Sequence, residues 1–246
     1  MRRKERHELK QNELLVLFED VAAWSSQNQQ LLKSTVVVAI LAAAVLGGLY
    51  VYQHGRAQEA SARLDAAMKK YHGVIRESSI VAAPEEGTMF DSVEDRYQAS
   101  LEAFQGVAQD YGNMEQGREA SYYAALCQMG LGQVDDAQAL LEEVVRKRGD
   151  LLYSLASQTL ATVKSQKGDH SGAAEIYRAM VDDPQDPLPK DQLLFAMAQQ
   201  LEAGDRLEEA FQAYERFLNE YPRSMLRSEA EQRSEILELR LNSSPA

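Results

Sequence analysis

Cysteine is almost absent: a single residue, Cys127, stands in a chain of 246. One cysteine forms no intramolecular disulfide, so cysteine usage does not separate a reducing compartment from an oxidising one. Four scattered histidines, at 7, 54, 72 and 170, complete none of the common zinc ligand sets and give the thiol no catalytic partner. Basic charge is also scarce. Lys and Arg number 26 against 38 Asp and Glu, a formal net charge of -12, which is the reverse of the clustered cations that phosphate recognition needs. Nucleic-acid binding is excluded on that ground. Neither a catalytic site nor a cofactor, metal or small-molecule substrate is expected. Proline is rare as well, with none between Pro84 and Pro184, and no stretch alternates apolar and polar residues as a half-buried strand would. Beyond the apolar segment described next, Ala, Leu, Glu and Gln dominate, so the chain reads as all-α.

Charge is missing most conspicuously between Lys33 and Arg56, where 22 residues contain no Asp, Glu, Lys or Arg. Residues 35 to 52 reach roughly 27 Å as a helix, close to the ~30 Å hydrocarbon core of a bilayer. Val36, Val37, Val38, Ile40, Leu41, Val45, Leu46, Leu49 and Val51 each favour insertion by roughly 0.3 to 0.6 kcal/mol. The segment reads as one transmembrane helix with Tyr50 and Tyr52 at an interface. A cleaved signal peptide is the rival reading, but such peptides place a shorter apolar run closer to the N-terminus. The small residues Ala43, Gly47, Ala44 and Gly48 stand one turn apart, which is common in membrane helices and also permits close helix contact.

Orientation rests on competing counts. Residues 1 to 33 carry six basic and five acidic residues, whereas 20 basic and 33 acidic residues follow the apolar run. Arg56, Arg63, Lys69 and Lys70 oppose that trend close to the membrane. We expect the N-terminus inside, because long domains translocate largely regardless of charge. Within the tail, Leu14, Leu17, Phe18, Val21 and Trp24 recur at helical spacing. An amphipathic helix there would lie on the membrane surface, dock on a partner or simply pack, and the sequence leaves these open.

Four copies of one short pattern follow: a small residue, an apolar or aromatic residue four later, another seven later, then a turn residue. The copies are Ser100, Phe104, Val107 and Gly112; Ala137, Leu141, Val144 and Gly149; Ala173, Tyr177, Met180 and Pro184; and Ala210, Tyr214, Phe217 and Pro222. The small residues are spaced by 37, 36 and 37. Gly132, Gly168 and Gly204 precede three copies and read as ends of preceding helices near 115–130, 151–167 and 190–203. Asp135, Asp169 and Asp205 are placed to cap or begin the second helix of each pair. Each unit is then a helical hairpin that cannot bury its apolar face alone and must stack. A closing helix near 223–241 would cap the array. Residues 57 to 79 read as a stalk helix whose stripe of Leu64, Ala67, Met68, Tyr71 and Ile75 docks on the first repeat, and 80 to 90, with Pro84 and Gly87, as a loop.

The segments GQVDDAQALLEEV, GDHSGAAEIYRAM and GDRLEEAFQAYERFLNEYP resemble the second half of the tetratricopeptide repeat. The first helices depart from it, with Ser121, Ala125 and Gln128, then Ser157, Ala161 and Lys164, where that family often has Trp, Gly and Tyr. The resemblance implies an α-solenoid over 92 to 222, with a concave face made by the first helices. Its register would place Glu119, Tyr122, Leu126, Met129, Leu155, Gln158, Thr162, Gln166 and Leu194 on that face, as contacts for a protein partner. The blander reading is that Tyr122, Leu126 and Met129 are core residues.

The whole layout, with its basic opening MRRKERHELKQNE, is similar to the YfgM-type ancillary subunits of the bacterial SecYEG translocon. That resemblance implies a bacterial inner-membrane protein with residues 1–33 as a cytoplasmic tail, a span over 34–55, a stalk and loop over 56–91, and a C-terminal cap over 223–246. The repeats would lie in the periplasm, and the partners would be the translocon, periplasmic folding factors and secreted clients. The alternatives are an assembly factor of an envelope complex and a cytosol-facing scaffold.

The acidic pairs Asp135 and Asp136, Glu142 and Glu143, Asp182 and Asp183, and Glu208 and Glu209 sit at helix starts or on polar faces. They read as solvated charges rather than catalytic carboxylates. Cys127 lies among apolar residues as a buried thiol, and His170 reads as a surface residue.

Overall fold

A computed structural model describes residues 29–76 and 89–243. The expected tail helix and residues 80–88 of the expected loop lie outside the described residues. Helix α1 spans Gln29–Tyr71. Strands β1 (Val74–Ile75) and β2 (Met89–Phe90) pair in parallel, Val74 opposite Met89 and Ile75 opposite Phe90. Helices α2 (Val93–Tyr111), α3 (Glu115–Gly130), α4 (Val134–Val144), α5 (Leu151–Gln166), α6 (His170–Asp182), α7 (Lys190–Ala203), α8 (Leu207–Glu220) and α9 (Arg227–Ser243) follow.

The chain divides into two units, residues 1–58 and 59–246. Within the first, Val37, Val38, Ile40, Leu41, Val45, Leu46, Leu49 and Val51 of α1 are 51 to 70% exposed. Among the described residues no helix is long and apolar enough to cross a membrane. The apolar run of the sequence also includes Val36 and Ala39, whose side chains lie outside the described residues.

Apart from the short β1–β2 pair, the second unit is a helical stack in which consecutive helices from α2 to α9 pack against one another. Its physical basis is the repeated pattern. Ser100, Ala137, Ala173 and Ala210 are fully buried, and the residues four and seven later in each copy are buried with them. A small side chain lets two helix backbones approach, and the larger pair then fills the space beside it. Each fully buried Leu, Phe or Met contributes about 1.5 to 3 kcal/mol. The core falls into three clusters along the stack. Leu140 touches the first two and Ile176 the last two, so each hairpin buries itself against its neighbours.

The stalk stripe joins this core. Ala60, Leu64 and Ala67 are buried with Leu101, Phe104, Val107 and Tyr111 of α2, and Met68 and Tyr71 pack against them. Ile75 belongs to β1 instead of continuing the helix.

The turns explain the helix limits. Gly132 and Gly168 adopt φ values of 75° and 81°. In each case the amide after the glycine donates to a carbonyl five residues back, Gln133 to Gln128 and Asp169 to Lys164, both at 2.8 Å. This double-bonded stop favours glycine because L side chains are disfavoured at positive φ. In the third hairpin Gly204 ends its helix as expected, as the C-cap of α7, but without the left-handed turn of the other two. Gly204 keeps a φ of -85°, and Asp205 takes the left-handed position at 58°. Asp205 follows that cap and does not cap α8, whose N-cap is Arg206. Asp169 does cap α6, accepting the Gly172 amide at 2.8 Å, and Asp135 lies in the first turn of α4.

Candidate functional site

The first helices of two successive hairpins, α3 and α5, run beside each other and leave a groove at their N-terminal ends. Its volume is about 320 Å³, and its lining is Glu115, Glu119, Tyr122 and Tyr123 from α3 with Asp150, Leu151, Leu152 and Leu155 from the start of α5. The volume sits at the low end of small-ligand pockets, enough for one or two large side chains.

Packing holds the apolar floor in place. Tyr123 stacks on Phe104 with ring centroids 5.4 Å apart and meets Tyr71 edge-on at 5.6 Å. Tyr122 meets Tyr123 edge-on at 5.4 Å. Leu151 contributes exposed apolar surface at the rim, at 55%. The end near α5 is fixed by Asp150, which accepts the Tyr153 amide at 2.8 Å as N-cap and pairs with Arg118 of α3. Partial burial pushes the Asp150 carboxyl up, but the Tyr153 amide and the Arg118 guanidinium outweigh it, so its pKa ends below the usual carboxylate value.

The opposite wall is acidic. Burial raises the pKa of Glu119, and the nearby carboxylates of Glu115 and Asp65 raise it further. Burial raises the Tyr123 hydroxyl as well, followed by the influence of Glu119 and Tyr122. Gln116 Nε2 donates to Ser61 Oγ at 3.1 Å, tying α3 to the part of α1 that carries Asp65.

Of the nine residues placed on this face by the sequence, the groove gathers Glu119, Tyr122 and Leu155. Leu126, Met129 and Gln158 are half-buried on the same helices, while Thr162 and Gln166 are exposed further along α5. Met129 packs, with Tyr122, against the α3 to α5 core, so the core reading of those two is partly right. Leu194 is a correction. It is fully buried, because α7 is enclosed in one cluster with α6, α8 and the closing helix α9, and little of its surface is left for a partner. Glu115, Tyr123, Asp150, Leu151 and Leu152 line the groove without having been singled out by the sequence. Their signal was present in the apolar triplet at the start of α5 and in the tyrosine beside Tyr122.

Other side chains singled out by the sequence have structural settings. Asp135 pairs with Lys167 at 2.7 Å. Glu209 accepts from Arg206 at 2.6 Å and Arg178 at 3.1 Å, and Arg206 reaches Glu175 at 3.1 Å. The Arg178–Glu209 and Arg206–Glu175 pairs link α6 and α8, the second helices of successive hairpins, whereas Lys167 stands at the end of α5. Cys127 is buried, and its thiol is pushed up to about 12 by burial, far from a reactive thiolate. His170 is not a free surface residue: its Nδ1 lies 3.0 Å from Gln200 Oε1, a contact between α6 and α7.

The tetratricopeptide-repeat family model matches residues 119–150 and 192–224, which are the hairpins α3–α4 and α7–α8. The chain carries tetratricopeptide repeats. The hairpin between the two matched repeats buries Ala173, Tyr177 and Met180 in the same way. Similar solved structures include two forms of the nearly identical tetratricopeptide-like repeats of a putative kinesin light chain from Podosopora anserina. One, a form carrying a single substitution, is 17% identical over 58% of this chain and 77% of that one, at a TM-score of 0.49. The other is 16% identical over 61% and 90%, at 0.47. The Rap conjugation gene regulator of the plasmid pLS20, in complex with the Phr* peptide, is 18% identical over 62% of this chain and 44% of that one, at 0.40. No curated protein matches the chain. The matched repeats give an all-α, tetratricopeptide-like solenoid and suggest a scaffold for protein–protein interaction.

Proposed function

We propose that this is a non-enzymatic, membrane-anchored tetratricopeptide-repeat scaffold that holds protein partners on the periplasmic face of the bacterial inner membrane, with its N-terminal tail in the cytoplasm. The groove between α3 and α5 is the observation that carries partner binding: it joins a half-exposed apolar floor to acids that form no ion pair among the described residues, on a helical frame. Exposed concave surfaces of this kind mark interaction sites. The anchor is supported by the apolar side chains of α1, which stand solvent-exposed in the isolated chain and whose run in the sequence extends through Val36 and Ala39. Water does not tolerate so continuous an apolar helix surface, and a bilayer does. The layout resembling translocon-associated subunits supports a place beside the Sec channel, with secreted chains and folding factors as partners.

Two experiments test this reading. A photocrosslinking residue at position 122 should join the chain to a protein partner in intact cells, while the same residue at position 142, on the exposed side of α4, should not. Protease added after opening the outer envelope should digest the repeats and leave a membrane-embedded fragment. Protection until lysis would place the repeats in the cytosol and overturn the periplasmic assignment.

A further inference from the structure

Resting on the reading of the repeats as a protein-binding array, we propose that the α3–α5 groove selects polypeptide segments in which a Lys or Arg adjoins a bulky apolar side chain. Two features of the groove define this occupant. The floor of Tyr122, Tyr123, Leu151, Leu152 and Leu155 is apolar and has room for one or two large side chains. Glu115 and Glu119 stand on the α3 wall, and Asp65 is close enough to raise the Glu119 carboxyl.

Charge compensation decides which sign the groove accepts. Asp150 is already matched by Arg118. Among the described residues no cation forms an ion pair with Glu115, Glu119 or Asp65. Glu115 lies in the first turn of α3, where the helix dipole offsets part of its charge. Glu119 is a turn further in, so that compensation has faded. Its carboxyl is half-buried beside two other acids, a setting in which the ionised form gains most from an incoming cation. An acidic or purely apolar segment would leave this repulsion in place. A cation carried beside an apolar anchor relieves it while the anchor fills the floor, and the aliphatic stem of Lys or Arg can lie along Tyr122.

The test uses the full chain in mild detergent with three fluorescent peptides: Gly-Ser-Leu-Lys-Leu-Phe-Ser-Gly, the same peptide with Glu in place of Lys, and the same peptide with both Leu and the Phe changed to Ser. Fluorescence anisotropy at low salt should show the Lys peptide binding at least roughly tenfold more tightly than either control, a preference that narrows as salt screens the acids. The double variant Glu115→Gln, Glu119→Gln should lose most of the charge preference, by roughly five- to tenfold, yet keep the weaker apolar binding. Tyr122→Ala should weaken the Lys and Glu peptides alike. Circular dichroism confirms that each variant is folded.

Equal binding of the Lys and Glu peptides overturns the selection and leaves the scaffold reading standing. Lys-peptide binding unchanged in all groove variants moves the site elsewhere on the repeats and overturns the inference alone. Failure of all three peptides also overturns it, and the crosslinking at position 122 then decides separately whether the scaffold reading falls as well.

Discussion

Asp150 serves two purposes, and substitution separates them. One carboxylate oxygen caps α5 through the Tyr153 amide, and the other pairs with Arg118 of α3. Asn caps a helix about as well as Asp, whereas Ala does not. Asp150→Asn therefore removes charge alone, and Asp150→Ala removes charge and cap together. The cap is worth about 1 kcal/mol. The two side chains of the pair are 12% and 33% exposed, between a surface pair and a core one. Arg118 Nε is moreover buried with no hydrogen-bond partner, so a stranded guanidinium is costly. We expect losses of about 1 to 2 kcal/mol for Asp150→Asn and about 2 to 3 kcal/mol for Asp150→Ala. Urea unfolding followed by far-ultraviolet circular dichroism would show these as lower midpoints at unchanged slope. The pH dependence has a definite sign. Because the folded carboxyl titrates below its unfolded value, its stabilisation is present above the unfolded pKa and fades as pH falls through the folded one. Asp150→Asn should lack that component of acid destabilisation. Equal midpoints for the two variants would refute the capping argument, and a wild-type midpoint for Asp150→Asn would refute the ion-pair argument.

Three further outcomes follow from local geometry. Gly117→Ala would place a Cβ about 2.1 Å from the Tyr111 carbonyl oxygen, so it should cost more than about 2 kcal/mol in spite of the better helix propensity of Ala, read as a fall in unfolding midpoint. Asp205→Gly should raise stability by a few tenths to about 1 kcal/mol, because glycine takes the left-handed φ of 58° without strain, and Asp205→Ala should not. Cys127 should resist maleimide at pH 7 in the folded chain and react fully in denaturant, since burial both covers the thiol and holds it protonated; rapid labelling of the folded chain would contradict its place in the core.

The repeats were legible because a period near 36 residues repeats a packing requirement. Small, large and large residues at 0, 4 and 7 identify the buried face of each second helix, and all twelve such positions are buried. The third turn differs from the other two for a reason visible in the spacing. Gly132 and Gly168 lie five residues before their alanines, whereas Gly204 lies six before Ala210, and the position five before is Asp205. The first helices were harder. They are packed on more than one side, so their apolar residues do not mark a single stripe, and periodicity cannot tell a groove lining from a core. Hence Leu194 was placed on the surface and Leu152 was overlooked. The groove also depends on how α3 lies beside α5, a tertiary relation that no local pattern encodes.

Because each hairpin draws its core from its neighbours, load applied along the chain would not be shared by the whole repeat unit. A pull on the C-terminal end would meet α9 first, then α8 with α7, then α6 with α5, each layer leaving behind a folded remainder. A hairpin of about 36 residues releases roughly 120 Å of extended chain. In a single-molecule trap the repeats should therefore yield as a staircase of near-equal steps, a mechanical buffer that lengthens by stages instead of snapping.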